Sequence, residues 1–156
     1  MSLAAENIVA SVVAILAAGG TVAGANVIGS PDLPVAEEQN AGSVIAVFEG
    51  DEETALDDAT SNRKKRHWLQ LFIECHLRAV VADPKNPRAV DTAANAFIAQ
   101  VLVLIEADVT LGGTCLWFEH KSTKRERNSA EHSLRVVTLG LIVHYRTLRT
   151  NPSQLV

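Results

Sequence analysis

The sequence has little of what small disulfide-bonded or zinc-binding proteins depend on. Only two of its 156 residues are cysteines, and Cys75 and Cys115 lie forty positions apart without a CxxC spacing. Neither a disulfide framework nor a zinc cluster is therefore expected, and a reducing, intracellular environment is the default. Each thiol is interpreted as a small buried hydrophobic group in a strand.

Motifs of catalysis and cofactor binding are also missing. There is no GxSxG or HExxH motif, and the glycine pairs at Gly19 and Gly112 lack the continuation of a phosphate loop or a dinucleotide-binding turn. Cys75 precedes His76, but neighbouring strand residues point to opposite faces and cannot act together. Cys115 beside a distant histidine is the one catalytic pairing left open. The sequence predicts a protein that is not an enzyme and holds no cofactor or metal.

Basic residues are absent from the first 61 positions, which hold ten acidic side chains. All 14 Lys and Arg residues follow, together with eight acidic ones, so the two parts carry charges of −10 and +6. Such polarity suggests a partner surface of opposite sign, and another copy of the chain is the nearest candidate. Acidic loops that are simply solvated explain the same pattern equally well.

Three charged clusters are the candidates for a subunit or tube interface. The acidic one follows a predicted strand, and the two basic ones lie in polar segments, where solvated loops are again the alternative interpretation. The candidate residues are Glu49, Asp51, Glu52, Glu53, Arg63, Lys64, Lys65, Arg66, Lys121, Lys124, Arg125 and Arg127.

The uncharged stretch from Asn7 to Pro31 raises the question of a membrane span or a signal peptide. Four glycines interrupt this stretch, and Glu6 is the only charge before it. We therefore expect a packed helix followed by an irregular segment, and no membrane partner.

Apolar residues recur at helical spacing over residues 3–18 and 88–107, which predicts two main helices. Residues 19–43, which contain Pro31 and Pro34, are expected to form an extended connection because prolines and glycines prevent a long regular element.

Four segments have the composition or the alternation of strands. They are 44–48, 68–79, 114–118 and 134–148. Apolar and polar residues alternate most regularly over 68–79, where Trp68 and Phe72 fall on the polar face and are expected to contact a second layer or a neighbouring subunit. Residues 121–131 are predicted to be a mobile hairpin loop and 150–156 a frayed tail. The prediction is one α+β domain over 1–156, a mostly antiparallel sheet of about four strands with two main helices packed on it.

From Val90 onward the chain resembles the tail terminator, or tail completion, family of long-tailed bacteriophages. The resemblance lies in an amphipathic helix, the turn Thr110, Leu111, Gly112, Gly113, a strand, a polar hairpin loop and a closing strand that ends in His144, Tyr145, Arg146, Thr147. The N-terminal half fits through its opening helix and the strand Val44–Phe48, followed by acidic residues.

The resemblance implies a structural virion protein that forms a ring, typically a hexamer, without catalytic residues. Such a ring caps the tail tube, stops its polymerisation and provides the surface for head joining. Its implied partners are further copies of itself, the tail tube protein and the head-tail connector protein. DNA passes through its lumen without sequence-specific binding. The implied location is the head-proximal end of the virion tail, after assembly in the host cytoplasm.

Two alternatives stay open at this point. One is a head-tail connector or neck protein of the same virion region. The other is a small cellular ligand-binding domain, which would need a deep pocket with converging polar groups.

Overall fold

The computed structural model describes residues 3–29, 42–56, 64–78, 85, 88–127 and 135–156. These residues form two helices and six strands. In chain order the elements are α1 (Leu3–Ala18), β1 (Val27–Gly29), β2 (Val44–Leu56), β3 (Lys64–Leu77), α2 (Ala89–Glu106), β4 (Trp117–Arg127), β5 (Arg135–Leu148) and β6 (Asn151–Leu155).

The described strands form one mixed sheet in the order β1-β2-β3-β5-β4, with β6 paired to the end of β5. β1 runs parallel to β2, and the other pairings are antiparallel. The prediction of about four strands in a mostly antiparallel sheet is therefore wrong, although the fold remains α+β. β1 is too short to show an alternating pattern, and β6 contains Pro152, which is tolerated on an edge strand because its missing N–H need not pair there.

The helices begin and end within a residue of the predicted bounds, whereas the strands extend into charged sequence. β2 continues to Leu56 and β3 begins at Lys64, so most of the acidic and basic residues predicted in a loop lie on strands. The hairpin loop predicted over 121–131 is a strand as far as Arg127, and 128–134 lie outside the described residues. The tail predicted to fray over 150–156 is mostly β6. The predicted connection over 19–43 contains β1, and its residues 30–41 are outside the described residues.

Both helices pack on the same face of the sheet, which we call the helix face. On β3 it carries Leu69, Leu71, Ile73, Cys75 and Leu77, all buried. They form one core with Ile8, Val12 and Leu16 of α1 and Phe97, Val101 and Ile105 of α2. Each large apolar side chain buried in this way stabilises the fold by roughly 1.5–3 kcal/mol.

The opposite face, which we call the outer face, carries the alternate residues of β3: Trp68, Gln70, Phe72, Glu74 and His76. All five are half-buried. The alternation predicted over 68–79 is thus confirmed as far as the described residues extend, to Arg78.

A hydrogen-bonded turn between α2 and β4 fixes the start of β4. The Asp108 carboxylate accepts hydrogen bonds from the backbone and hydroxyl of Thr110 and from the backbone N–H of Gly112, and these bonds hold the pKa of Asp108 below its usual value. Leu111 and the two following glycines have positive φ angles, which explains the glycines. The Ser11 hydroxyl donates to the Leu111 carbonyl oxygen at 2.6 Å and ties the turn to α1.

Candidate interaction surface

One edge of the sheet is acidic. Beyond Val47, no described strand pairs with the side of β2 that faces away from β3. This part of β2 carries Glu49, Asp51, Glu52 and Glu53 and no basic residue. An unpaired strand edge presents a row of backbone donors and acceptors that another chain can bind.

A β-bulge at Gly50 and Asp51 changes which acidic side chains face the core. Glu49 pairs with Leu71 and Glu52 with Leu69, so β2 has one more residue than β3 in this interval. The extra residue places Glu52 on the helix face and Glu53 on the outer face. The Gln70 side chain accepts a hydrogen bond from the Asp51 backbone N–H at 3.3 Å and satisfies one donor that the bulge leaves without a ladder partner.

Glu52 remains partly exposed, but its carboxylate is held by two side chains of the same chain. Its Oε1 accepts hydrogen bonds from the Tyr145 hydroxyl at 2.5 Å and from His67 Nδ1 at 2.6 Å. His67 Nε2 lies 2.9 Å from the Thr147 hydroxyl oxygen, and the direction of that hydrogen bond depends on the tautomer of the imidazole. The His67 and Tyr145 rings stack at 4.5 Å between centroids.

The order Thr147, His67, Glu52 has the distances of a hydroxyl nucleophile, base and orienting carboxylate. Sequence reasoning missed this arrangement, because its members are far apart in the chain and only strand register brings them together. Thr147 is 0% exposed and His67 7% exposed, so a substrate has no access to the hydroxyl in this structure. The geometry therefore indicates a structural network that joins β2, β3 and β5.

The other edge of the sheet is β4, which pairs only with β5 among the described strands. It carries four basic residues, Lys121, Lys124, Arg125 and Arg127, and two acidic ones. Several of the basic side chains have partners within the chain: Lys121 is paired with Glu119, Lys124 with Glu126 at 2.7 Å, and Arg125 Nη2 donates to Asn95 Oδ1 at 3.3 Å. These ion pairs are exposed and contribute little stability.

The remaining basic cluster lies beside the acidic edge. Lys64, Lys65 and Arg66 begin β3, and Lys65 and Arg66 pair with Leu56 and Ala55 of β2. Arg63 lies outside the described residues. Part of the acidic charge of the first 61 residues is therefore balanced by basic residues of the same chain, because the acidic end of β2 lies beside the basic start of β3.

The outer face holds an aromatic group that the sequence did not reveal. The Trp117 ring stacks on His144 at 3.7 Å between centroids, and Trp68 contacts His144 edge-on at 6.3 Å. Strand register creates this group, because Trp117 and Trp68 both pair with His144 of β5. The only sequence signal was that Trp68 falls on the polar face of β3.

His144 behaves as a neutral aromatic group in this cluster. Burial lowers its pKa, and the nearby Glu119 carboxylate opposes that shift only in part. Glu119 Oε1 lies 3.3 Å from His144 Nε2, close enough for electrostatic attraction but without hydrogen-bond geometry. At neutral pH the imidazole therefore stacks without a charge.

A groove of about 240 Å³ opens beside this aromatic group. Its lining includes Arg66, Trp68, Trp117, His144 and Arg146. Arg66 and Arg146 are direct partners in the β3–β5 register, so two guanidinium groups are attached to adjacent positions of one face.

Neither a metal site nor a reactive thiol is found in the described part of the chain. No group of three or more His, Cys, Asp or Glu side chains there is placed to hold a metal ion. Burial raises the pKa of Cys75 to about 12 and that of Cys115 to about 12, so both thiols are protonated at neutral pH. A protonated thiol is a poor nucleophile.

By length and composition α2 is the one described helix that can cross a membrane. Its Phe97, Val101 and Ile105 side chains are buried in the core against the sheet.

No family model matches this chain, and no curated protein matches it. Among solved structures, it is similar to a chain of the "Virion of native gene transfer agent (GTA) particle". The two are 16% identical, the match covers 86% of this chain and 91% of that chain, and the TM-score is 0.46. A likeness at this identity and TM-score carries no argument about function.

Proposed function

We propose that the protein is a structural component of a phage-type virion, a tail terminator whose copies form a ring, of six in the family it resembles. The ring caps the tail tube, stops its polymerisation and presents a surface to the head-tail connector protein. DNA passes through its lumen without sequence-specific contacts. The protein acts at the head-proximal end of the tail, carries out no reaction and needs no cofactor.

The observation that carries the proposal is the opposite charge of the two sheet edges. The acidic edge is the part of β2 beyond Val47, and the basic edge is β4. A contact between unlike patches of identical chains is heterologous, and it generates a closed ring when the rotation between copies closes.

Charged residues and bulges on edge strands also protect proteins against unwanted pairing. Protection against pairing would be most effective if both edges carried charge of the same sign, because any edge of one copy would then repel any edge of another. Here the acidic edge of one copy attracts the basic edge of the next. The charges therefore oppose contacts between like edges and favour the head-to-tail contact that a ring requires.

The proposal that the protein carries out no reaction is supported by the burial of an arrangement, among the described residues, that resembles a catalytic triad. Thr147, its only hydroxyl nucleophile, is 0% exposed. The resemblance of residues 90–147 to the tail terminator family directs the choice among ring-forming proteins. The structural neighbour described above belongs to a virion particle, but the proposal does not depend on it.

Charge reversal on one edge at a time tests the head-to-tail contact. One variant carries Asp51→Lys and Glu53→Lys on the acidic edge, and a second carries Lys121→Glu and Lys124→Glu on the basic edge. The first variant cancels the net charge of the acidic edge, where two carboxylates remain beside two lysines, and the second makes β4 net negative. Attraction between the edges is lost or reversed in each variant alone, so we expect native mass spectrometry to show monomers. In their equimolar mixture the unchanged acidic edge of the second variant can meet the unchanged basic edge of the first, and we expect heterodimers that neither variant forms alone.

A matched control places the same change of charge on the helices. Glu6 and Glu106 are exposed residues of α1 and α2, and a Glu6→Lys, Glu106→Lys variant should form rings like the wild type. Molar salt should weaken the wild-type ring because it screens exposed charges. Rings from either edge variant alone, or no rescue in the mixture, would show that these edges do not join the copies. A ring that binds connectors and leaves tube ends bare would favour the connector function instead.

A further inference from the structure

β4 and β6 lie end to end along one side of β5. β3 occupies the other side of β5 as far as Leu148, so β6 shares the remaining side with β4. The Leu116 backbone N–H donates to the His144 carbonyl oxygen at 2.8 Å. Two residues further along β5, the Arg146 carbonyl oxygen accepts from the Val156 N–H at 3.1 Å. The basic edge of the sheet therefore continues past the start of β4 into β6.

An apolar notch of about 160 Å³ lies where β4 and β6 meet. Its lining includes Cys115, Leu116, Leu155 and Val156. The Leu116 side chain is 40% exposed and that of Val156 is 38% exposed. An apolar cavity of about 150 Å³ holds a benzene molecule in an engineered protein. The notch is therefore large enough to receive one branched aliphatic side chain.

The acidic edge ends in such a side chain at the same height of the sheet. Leu56 is the last residue of β2 and is 47% exposed, although acidic residues precede it. One row of paired residues crosses the sheet at this height, and it comprises Leu56, Lys65, Thr147 and Leu155. Directly paired residues of antiparallel strands point to the same face. Leu56 and the notch therefore lie on the same face, at opposite edges.

Exposed large apolar side chains are concentrated at these two edges. Of the eight such residues in the described part of the chain, four lie there: Leu56, Leu116, Trp117 and Val156. Single exposed apolar residues are ordinary, whereas groups of them mark interaction sites. The two edges that the proposed assembly joins thus carry apolar surface as well as opposite charge.

A closed ring brings Leu56 and the notch together. Its copies are related by rotation alone, so features at one height of the two edges meet when the strands run along the ring axis. In the same alignment Glu49 is level with His120, next to Lys121, so the charged and the apolar contacts share one register. Apolar burial dominates most protein association, and exposed ion pairs contribute little.

We propose that Leu56 of one copy inserts into the notch between β4 and β6 of the next copy. The inference rests on the proposed head-to-tail assembly and adds the contact that fixes its register. The charges determine which edges meet, and the leucine determines how they align.

Cross-linking of two single-site variants tests the contact. One full-length chain carries Leu56→Cys and the other Leu116→Cys, and both carry Cys115→Ala so that the notch holds no native thiol. The remaining native thiol, Cys75, is 1% exposed. Diagonal neighbours on paired strands are about 7–8 Å apart, within reach of a short bismaleimide. We expect covalent dimers of mixed composition from the mixture and none from either variant alone.

A Val103→Cys chain is the matched control. Val103 is 70% exposed and belongs to α2 rather than to a strand edge. It carries Cys115→Ala as well, and its mixture with the Leu56→Cys chain should give no covalent dimers. Circular dichroism of all the cysteine variants checks that they are folded.

Replacing the leucine measures its contribution to assembly. We expect Leu56→Ala to weaken association of the full-length chain by about tenfold or more in analytical ultracentrifugation, the effect of losing roughly 1.4 kcal/mol per contact. Leu56→Met keeps an apolar side chain of similar volume and should recover most of the affinity. Val103→Ala shortens an exposed apolar side chain outside the contact and should change the affinity by less than about twofold.

Three results would overturn the inference. They are cross-linking to Val103→Cys as efficient as that to Leu116→Cys, association unaffected by Leu56→Ala, and a Leu56→Ala ring that assembles normally but no longer binds tail tubes. Rings that the edge charge reversals abolish, without a cross-link from Leu56→Cys to Leu116→Cys, would leave the proposed function standing and remove this contact. Cross-linked, Leu56-dependent assemblies that never close into rings would instead support the contact and contradict the proposed function.

Discussion

Replacing Tyr145 by phenylalanine should destabilise the protein measurably by removing a single hydroxyl. That hydroxyl donates to Glu52 Oε1 at 2.5 Å, and the ring is 1% exposed and stacked on His67. Phenylalanine preserves the ring and the stack. Hydrogen bonds to charged groups contribute about 1.5–3 kcal/mol, and because the Glu52 side chain is 25% exposed, water replaces part of the loss. We therefore expect a loss of about 1–2 kcal/mol in the free energy of unfolding.

The assay is urea unfolding followed by circular dichroism, with calorimetry for the melting temperature. A loss of this size lowers Tm by roughly 3–6 °C in a domain of this length. A double-mutant cycle with Glu52→Gln isolates the bond, and we expect the two substitutions to be non-additive by about 0.5 kcal/mol or more. Unchanged stability in Tyr145→Phe, or strict additivity in the cycle, would refute the assignment of this network as the tie between β2 and β5.

Three further predictions concern other parts of the sheet. Gly140→Ala should change the free energy of unfolding by less than about 1 kcal/mol in urea unfolding, because its Cβ would lie 2.4 Å from the Ser122 hydroxyl oxygen, which a change of the serine rotamer moves away. A loss well above that value would contradict this reasoning. The hydrogen bond from His76 holds the pKa of the Glu74 carboxyl below its usual value. The ionised carboxylate therefore stabilises the fold above the usual pKa, and this stabilisation is lost as the pH falls through the lowered pKa. The difference in unfolding free energy between the wild type and Glu74→Gln should disappear between pH 7 and acidic pH, and a difference that stays constant would contradict the prediction. Since burial raises the pKa of Cys75 to about 12, iodoacetamide should label it only after unfolding, and rapid labelling of the folded chain would show that the thiol is accessible.

Hydrophobic periodicity was sufficient to predict the helices and the centre of β3. Both helices bury one regular stripe, so residues such as Val12 and Val101 recur at helical spacing. On β3 the buried Leu71 and Ile73 alternate with half-buried polar residues, and that alternation was visible in the sequence.

The charged halves of the strands could not be predicted in the same way. Residues such as Asp51 and Lys124 lie on edge strands, where polar side chains are exposed on both faces and no alternation remains. The bulge at Gly50 also shifts the register by one residue, which places Glu52 on the helix face and makes it a partner of Tyr145. No local pattern encodes such a shift.

The groove depends on register between strands that are distant in the sequence. Arg66 and Arg146 are eighty positions apart, and Trp117 meets His144 only because β4 and β5 pair as they do. The tail terminator resemblance included His144 and Arg146 in a terminal motif, but it did not indicate that they lie beside Trp117.

Electron microscopy of the full chain mixed with purified tail tubes tests the central claim most directly. The account predicts a ring at one end of each tube and no further growth of capped tubes when tube protein is added. A chain that stays monomeric at assembly concentrations, with tube ends left bare and growth unaffected, would contradict it.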